Sequence, residues 1–209
     1  SADGDNEAAK LTREMANELL SIANLPGLSI AIRKNNEIMF AEGFGYADLE
    51  KRSPVTVNTQ FRAASTSKAI TVTGLAKMMQ DGMIDVEAEV QKYVPHYPLK
   101  EYPITIKQLA GNVSGMPHYL SSDNLENRYY STIKDALGVF SHHKLLFKPQ
   151  TKYSYSSAGF VLLSAAMEGA SGVNFISYLQ DKVFNPMGMK STEPDMGKYK
   201  FMPNLTTYY

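Results

Sequence analysis

The chain contains no cysteine, which excludes a disulfide framework, a thiolate nucleophile and a cysteine-based metal site while leaving the compartment open. It also lacks net charge: 21 Lys and Arg balance 21 Asp and Glu, and neither sign gathers into a block. That excludes the electrostatic footprint of a nucleic-acid or anionic-membrane binder, so partners belong in a pocket. No apolar run approaches the roughly 18 residues a spanning helix needs, and the opening SADGDNEAAK lacks the charged-then-apolar pattern of a signal peptide. The expectation is no membrane span, with any targeting segment removed or never present. Internal repeats and low-complexity tracts are missing as well. What is present is 209 residues with 44% hydrophobic content, enough to bury a core in one large domain or two modest ones.

Residues 7–23, EAAKLTREMANELLSIA, place apolar side chains at Leu11, Met15, Leu19 and Ile22. This spacing predicts an amphipathic helix, ended by Asn24 and Pro26. GLSIAIRKN and EIMFAEGFGYAD are β-prone runs joined at Asn35-Asn36, a pair able to take positive φ, and they predict a hairpin. After the polar connection DLEKRSPVTVNTQ, FRAAS reads as a short buried strand. The helix that follows, from near Thr66, runs to Asp81-Gly82, where glycine supplies the left-handed closing position.

Beyond Ile84 the chain turns to helices and loops broken by Pro95, Pro98 and Pro103. ITIKQLAGN, entered from Thr105, and TIKDALGVFSHH read as helices. AGFVLLSAAMEGASG is the most apolar helix, closed by Gly169 or Gly172, and NFISYLQDKVF is capped by Asn174 and stopped before Pro186. The expected layout is an α+β part over residues 1–82, a mostly helical part over 83–195 and a return segment over 196–209.

S-x-x-K occurs three times, at Ser65/Lys68, Ser131/Lys134 and Ser141/Lys144, so spacing alone identifies nothing. A serine hydroxyl is a weak nucleophile that needs a neighbouring base. At a strand-to-helix junction, Ser65 would have Lys68 on the same helical face, and the positive helix end would meet a developing oxyanion. Ser131 opens a polar helix after Tyr-Tyr, and Ser141 sits near a helix end beside two histidines, so both read as solvated surface residues. Without further context Ser65 remains divided between nucleophile and ordinary helix cap. Adjacent helical residues point about 100° apart, and no H-E-x-x-H accompanies His142-His143, which therefore read as solvated histidines rather than metal ligands. There is no G-x-S-x-G elbow. NVS at Asn112 and NLT at Asn204 fit the glycosylation pattern, which carries no weight without secretion.

Five ordered blocks add the missing context: GFGYADLEKRSPVTVNTQFRAASTSK, DGMIDVEAEVQKYVP, ITIKQLAGNVSGMPHY, FKPQTKYSYSSAGFVLL and NPMGMKST. In order and spacing they resemble the serine β-lactamase-like, penicillin-binding family of class C β-lactamases, D-alanyl-D-alanine carboxypeptidases and esterases. The segment around YVPHYP is similar to the family's mitochondrial serine β-lactamase-like branch and its bacterial relatives. The resemblance covers about residues 25–195. It implies an α+β, β-lactamase/transpeptidase-like fold, in which an antiparallel sheet flanked by helices is joined to a mostly helical subdomain. It also implies a nucleophile at Ser65 with Lys68 as its amine partner, and neither a metal nor an organic cofactor. The family's second motif is a tyrosine followed two residues later by an asparagine, with a glycine two further on. Gly159 fixes that register, making Tyr155 the motif tyrosine, Tyr153 a decoy and Ser157 the occupant of the asparagine position. Near the Lys68 cation a phenol of lowered pKa would relay protons; the structural alternative is a buried tyrosine with a satisfied hydroxyl. His118 and Tyr119 either line the cleft or simply pack.

Three departures bear on the reading. Ser157 replaces an amide that in the family helps hold the substrate's acyl-amide group, which argues against efficient lactam turnover and toward a less amide-specific pocket. Asn112 stands where the family has a mostly structural histidine, a loss expected to be tolerated. The third motif, Lys or His followed by Thr or Ser and Gly, occurs nowhere in the chain, and losing one oxyanion donor costs on the order of 10²- to 10³-fold in rate. The chain closes at NLTTYY, before the family's last strands and helix, leaving the hairpin with an unpaired edge. The expectation is therefore the amino-terminal part of a larger enzyme, or a chain that pairs with a carboxy-terminal chain or with copies of itself. The expected function is acyl-enzyme formation on Ser65 with a small-molecule or peptide substrate carrying an amide, β-lactam or ester carbonyl. The alternative is a non-catalytic or self-assembling protein, or an inactive fragment. The family's peptidoglycan-related members point to a periplasmic or secreted location, and its mitochondrial branch to the other.

Overall fold

The computed structural model describes residues 2–120, 123, 130–195 and 201–207. It divides into two units, one running to Ala63 and joined by 201–207, the other starting at Ala64 and running to 195. The division falls after Ala63 rather than after Gly82. The S-x-x-K helix groups with the helical part because its Leu75 and Met78 are buried in a core built by the later helices.

The first unit contains helix α1 (Ala2–Ile22) and strands β1 (Gly27–Lys34), β2 (Glu37–Asp48) and β3 (Ser53–Pro54), in the antiparallel order β1-β2-β3. Lys34 pairs with Glu37, and Asn35 and Asn36 between them have φ of 48° and 71°. This is the two-residue turn that asparagines support, because their side chains tolerate the left-handed region. Ala16 of α1 is buried, and Arg13 ties the helix to the hairpin: its Nε donates to both carboxylate oxygens of Glu42, at 3.0 and 2.9 Å. The Arg13 guanidinium also lies 5.5 Å from the Phe40 ring centroid. The expected apolar stripe does not make this contact: Leu11, Met15, Leu19 and Ile22 are all at least half exposed. FRAAS is not a strand. Only Gln60 beside it forms a bridge, to Leu205, with its N–H donating to Asn204 O at 2.7 Å.

The second unit comprises α2 (Ser67–Gln80), α3 (Ile106–Ala110), α4 (Ile133–Leu137), α5 (Ser157–Ser171) and α6 (Phe175–Leu179), the last continuing into a π turn over Gln180–Phe184. Its centre is α5, whose Leu162, Leu163, Ala166 and Met167 are fully enclosed. Burying a side chain of this kind stabilises by about 1.5–3 kcal/mol. Among the described residues no single helix is long and apolar enough to cross a membrane. Around α5 pack Leu75 and Met78 of α2, Ile106 and Leu109 of α3, and Tyr178 and Leu179 of α6.

Local chemistry sets the helix limits. Thr105 and Gln108 form a reciprocal capping box on α3, and Asn174 Oδ1 accepts the N–H groups of Ile176 and Ser177. Helix α2 closes as foreseen: Gly82 has φ +67°, its N–H donates to Met79 O at 3.1 Å, and Met83 N–H donates to Met78 O at 2.9 Å. Of the two glycines offered for the end of α5, Gly172 takes the left-handed position. TIKDALGVFSHH yields a helix only over Ile133–Leu137, after which Gly138 leads into turns. Gly74 has a packing role: a Cβ there would lie 2.6 Å from Leu179 Cδ2, so its absence lets α2 approach α6.

Candidate active site

Ser65 lies in a single 3₁₀ turn, Ala64–Thr66, immediately before α2 rather than inside its first turn. Ala64 is held at φ +44°, a left-handed conformation that a Cβ disfavours. Its carbonyl accepts the Ser67 hydroxyl at 2.6 Å. This turn presents the Ser65 hydroxyl to two partners. Lys68 Nζ donates to Ser65 Oγ at 3.3 Å, and the Tyr155 hydroxyl donates to the same oxygen at 2.7 Å. Lys68 Nζ is also 4.9 Å from the centroid of the Tyr155 ring and 5.5 Å from that of Phe160. Tyr153 is 68% exposed and makes none of these contacts.

The surroundings change the phenol. The hydrogen bond with Lys68, followed by that with Ser65, draws the Tyr155 pKa down to about 8; partial desolvation opposes this, and the Ser157 hydroxyl and the Lys68 charge add to the lowering. Burial pushes the Tyr119 phenol up, with a hydrogen bond to Ser157 pulling the other way. Lys68 and Tyr155 thus meet on one atom, Ser65 Oγ.

Tyr155 is held by the residues on either side of it. Asn112 accepts the Ser154 N–H on its main-chain oxygen at 2.9 Å and the Ser156 N–H on Oδ1 at 2.9 Å. It does so from φ +56°, a conformation asparagine tolerates better than most residues. The Ser156 hydroxyl caps α5 by accepting the Gly159 N–H at 2.9 Å, and it donates to Pro117 O at 2.7 Å. Ser157 N–H donates to His118 Nδ1 at 3.1 Å, which requires Nδ1 to be unprotonated and leaves the ring proton on Nε2. The His118 ring meets Tyr119 at 4.7 Å and the edge of Tyr155 at 5.5 Å between centroids. His118, Tyr119 and Ser157 therefore gather around Tyr155, as do Ser65 and Lys68.

The role of Asn112 was not legible from a motif position; its signal was only that asparagine combines an acceptor with tolerance of positive φ. Of the other Ser/Lys pairs, Ser131 Oγ donates to Asp135 at 3.1 Å, and the Ser141 carbonyl accepts Lys100 Nζ at 2.5 Å. His143 corrects the expectation of solvated histidines. Its side chain is 10% exposed, and its Nε2 lies 2.5 Å from Oδ1 of Asp123, itself 1% exposed. Among the described residues no three His, Asp or Glu side chains converge on a point that could hold a metal ion.

The fold is that of β-lactamase/transpeptidase proteins. A class C beta-lactamase in complex with cefoxitin aligns at TM-score 0.79 and 19% identity, over 97% of this chain and 55% of its own. FmtA from Staphylococcus aureus aligns at TM-score 0.73 and 25% identity, over 85% and 49%. The chain belongs to the Beta-lactamase family, which it matches over residues 12–208. It is 30% identical over 189 residues to Protein flp of Staphylococcus aureus strain MW2, covering 87% of this chain and 37% of that protein. It is 26% identical over 254 residues to human serine beta-lactamase-like protein LACTB, mitochondrial, covering 88% and 46%. The chain thus spans less than half the length of these two curated relatives.

Proposed function

We propose that Ser65 is the nucleophile of a serine hydrolase that forms an acyl-enzyme with amide, β-lactam or ester substrates. The carrying observation is that one oxygen, Ser65 Oγ, is hydrogen-bonded by both Tyr155, at 2.7 Å, and Lys68, at 3.3 Å. Membership in a family of serine hydrolases supports the same reading.

In the ionised form Tyr155 accepts the Ser65 proton as Oγ attacks the carbonyl carbon, and the Lys68 ammonium stabilises the phenolate. The carbonyl oxygen becomes an oxyanion beside the Ser65 N–H at the positive end of α2. Collapse of the tetrahedral intermediate breaks the bond to the leaving nitrogen or oxygen, which takes the proton from Tyr155. The acyl group stays on Ser65. Water then adds to the ester with Tyr155 receiving its proton, and departure of the carboxylic acid returns that proton to Ser65. Ser157 supports an ester-leaning selectivity within this reading. It offers one short hydroxyl and lacks the donor-plus-acceptor amide that would hold an acyl-amide group.

The test is covalent labelling of the purified chain with a fluorescent fluorophosphonate and a fluorescent penicillin, read by intact mass, with Ser65→Ala as control. The expected result is a single adduct on the wild type and none on Ser65→Ala. A wild-type chain left unlabelled under conditions that label a class C β-lactamase would overturn the proposal.

A further inference from the structure

We infer that Asp123 and His143 are positioning residues of this site: their buried pair holds the main chain at Leu120 and thereby sets Tyr119 against His118, the ring that packs on Tyr155. The inference rests on the hydrolase reading for its catalytic consequence, but its structural half is independent of it. Asp123 Oδ2 accepts the Leu120 N–H at 2.7 Å, and Asp123 Oδ1 lies 2.5 Å from His143 Nε2. Each carboxylate oxygen thus has its own donor. The carboxylate is 1% exposed and the imidazole 10%, so neither donor is readily replaced by water. Burial opposes the charge on Asp123, yet the Leu120 N–H and the His143 ring outweigh it and hold the carboxyl below its ordinary range.

The imidazole has a fixed mount. Lys100 Nζ donates to the carbonyl of His143 itself at 2.8 Å and to that of Ser141 at 2.5 Å. A continuous set of bonds therefore runs from Lys100 through His143 and Asp123 to the Leu120 amide. The opposite end of the same short segment is tied to the start of α5, through Pro117 O to Ser156 Oγ and through His118 Nδ1 to Ser157 N–H. Residues 117–120 are thus held at both ends, with the Tyr119 ring between the two ties. Tyr119 and Leu120 are 38% and 42% exposed, so side-chain packing does little to fix this end. Asp123 restrains it twice, through the carboxylate bond to the Leu120 N–H and through its own N–H, which donates to Leu120 O at 2.9 Å; the buried pair with His143 governs the first.

Two measurements on the intact chain, amide exchange by NMR and the kinetics of fluorophosphonate labelling at Ser65, test the inference. Replacing His143 by Ala removes the donor to Asp123, whereas Gln retains one. Asn at position 123 leaves a single acceptor oxygen for two donors. The expected result in His143→Ala and Asp123→Asn is Leu120 amide exchange faster by at least about tenfold with α5 amides unchanged, which separates local release from general unfolding. The labelling efficiency should fall by about tenfold in the same variants and recover in His143→Gln. The loss should vanish in a Tyr119→Ala background, because coupled residues are not additive. Unchanged Leu120 exchange in His143→Ala overturns the brace. Faster exchange with undiminished labelling, or a loss that persists fully without Tyr119, overturns the positioning role. If the wild type takes no label, the hydrolase reading fails along with the positioning role, while Leu120 exchange still decides whether the brace exists.

Discussion

On the proposed reading Tyr155 activates Ser65, because its neighbours raise the share of its ionised form. With a pKa of about 8, set first by the hydrogen bond with Lys68, about one phenol in ten is ionised at pH 7. Raising the pH produces more of the basic form. The rate of Ser65 labelling should therefore climb through a midpoint near pH 8 and level off above it. Lys68→Met removes the largest cause of the lowering and should move the midpoint toward the ordinary tyrosine value. Tyr155→Phe should cost about 10²- to 10⁴-fold and abolish the rising limb. A profile unchanged in Tyr155→Phe would assign the base to another group. That Ser65, Lys68 and Tyr155 come together was legible in the sequence, because their motifs stand at fixed offsets from a helix start and from Gly159. Asn112 and the Asp123–His143 pair were not. Their roles come from hydrogen bonds to residues 44 and 20 positions away, which no local spacing encodes.

At the scale of elements, the sequence was most informative where a residue acts on its own backbone. Thr105, Asn174, Gly82 and the Asn35-Asn36 turn do their work within a few residues of themselves. FRAAS misled because short apolar runs do not specify a partner; its neighbour Gln60 finds only Leu205. The pattern in α1 was helical as read, but periodicity reports which residues share a face, not whether that face is covered, and the stripe from Leu11 to Ile22 is open. Packing also overrides propensity at Gly74. Alanine is the better helix former by about 1 kcal/mol, yet its Cβ would press on Leu179 Cδ2 at 2.6 Å. Gly74→Ala should therefore bring no gain in stability despite the better propensity, because the buried Leu179 side chain must shift to admit the Cβ. Urea denaturation followed by far-ultraviolet circular dichroism measures this, and a stabilised variant would show that α2 and α6 do not approach so closely.

Across the whole molecule the core is unevenly shared. The first unit buries, among its described residues, only Ala16, Phe40 and Val55 as apolar side chains, while one continuous cluster fills the second around α5. Conformational entropy is lost at a similar rate per residue in both units. The unit with less buried apolar surface therefore has less to offset that cost and should open first. Hydrogen exchange in low, increasing urea should show β1 and β2 amides exchanging at a lower free energy than those of Leu162, Leu163 and Met167 in α5. The α5 amides should report global unfolding, with the steeper urea dependence that comes from exposing more surface. Merging of the hairpin and α5 exchange isotherms at every urea concentration would show instead that the two units unfold as a single cooperative body. The expected separation has a functional corollary, because every residue of the candidate site belongs to the second unit. Ser65 labelling should accordingly persist at urea concentrations where the hairpin amides have already lost protection, and should disappear only with the protection of α5.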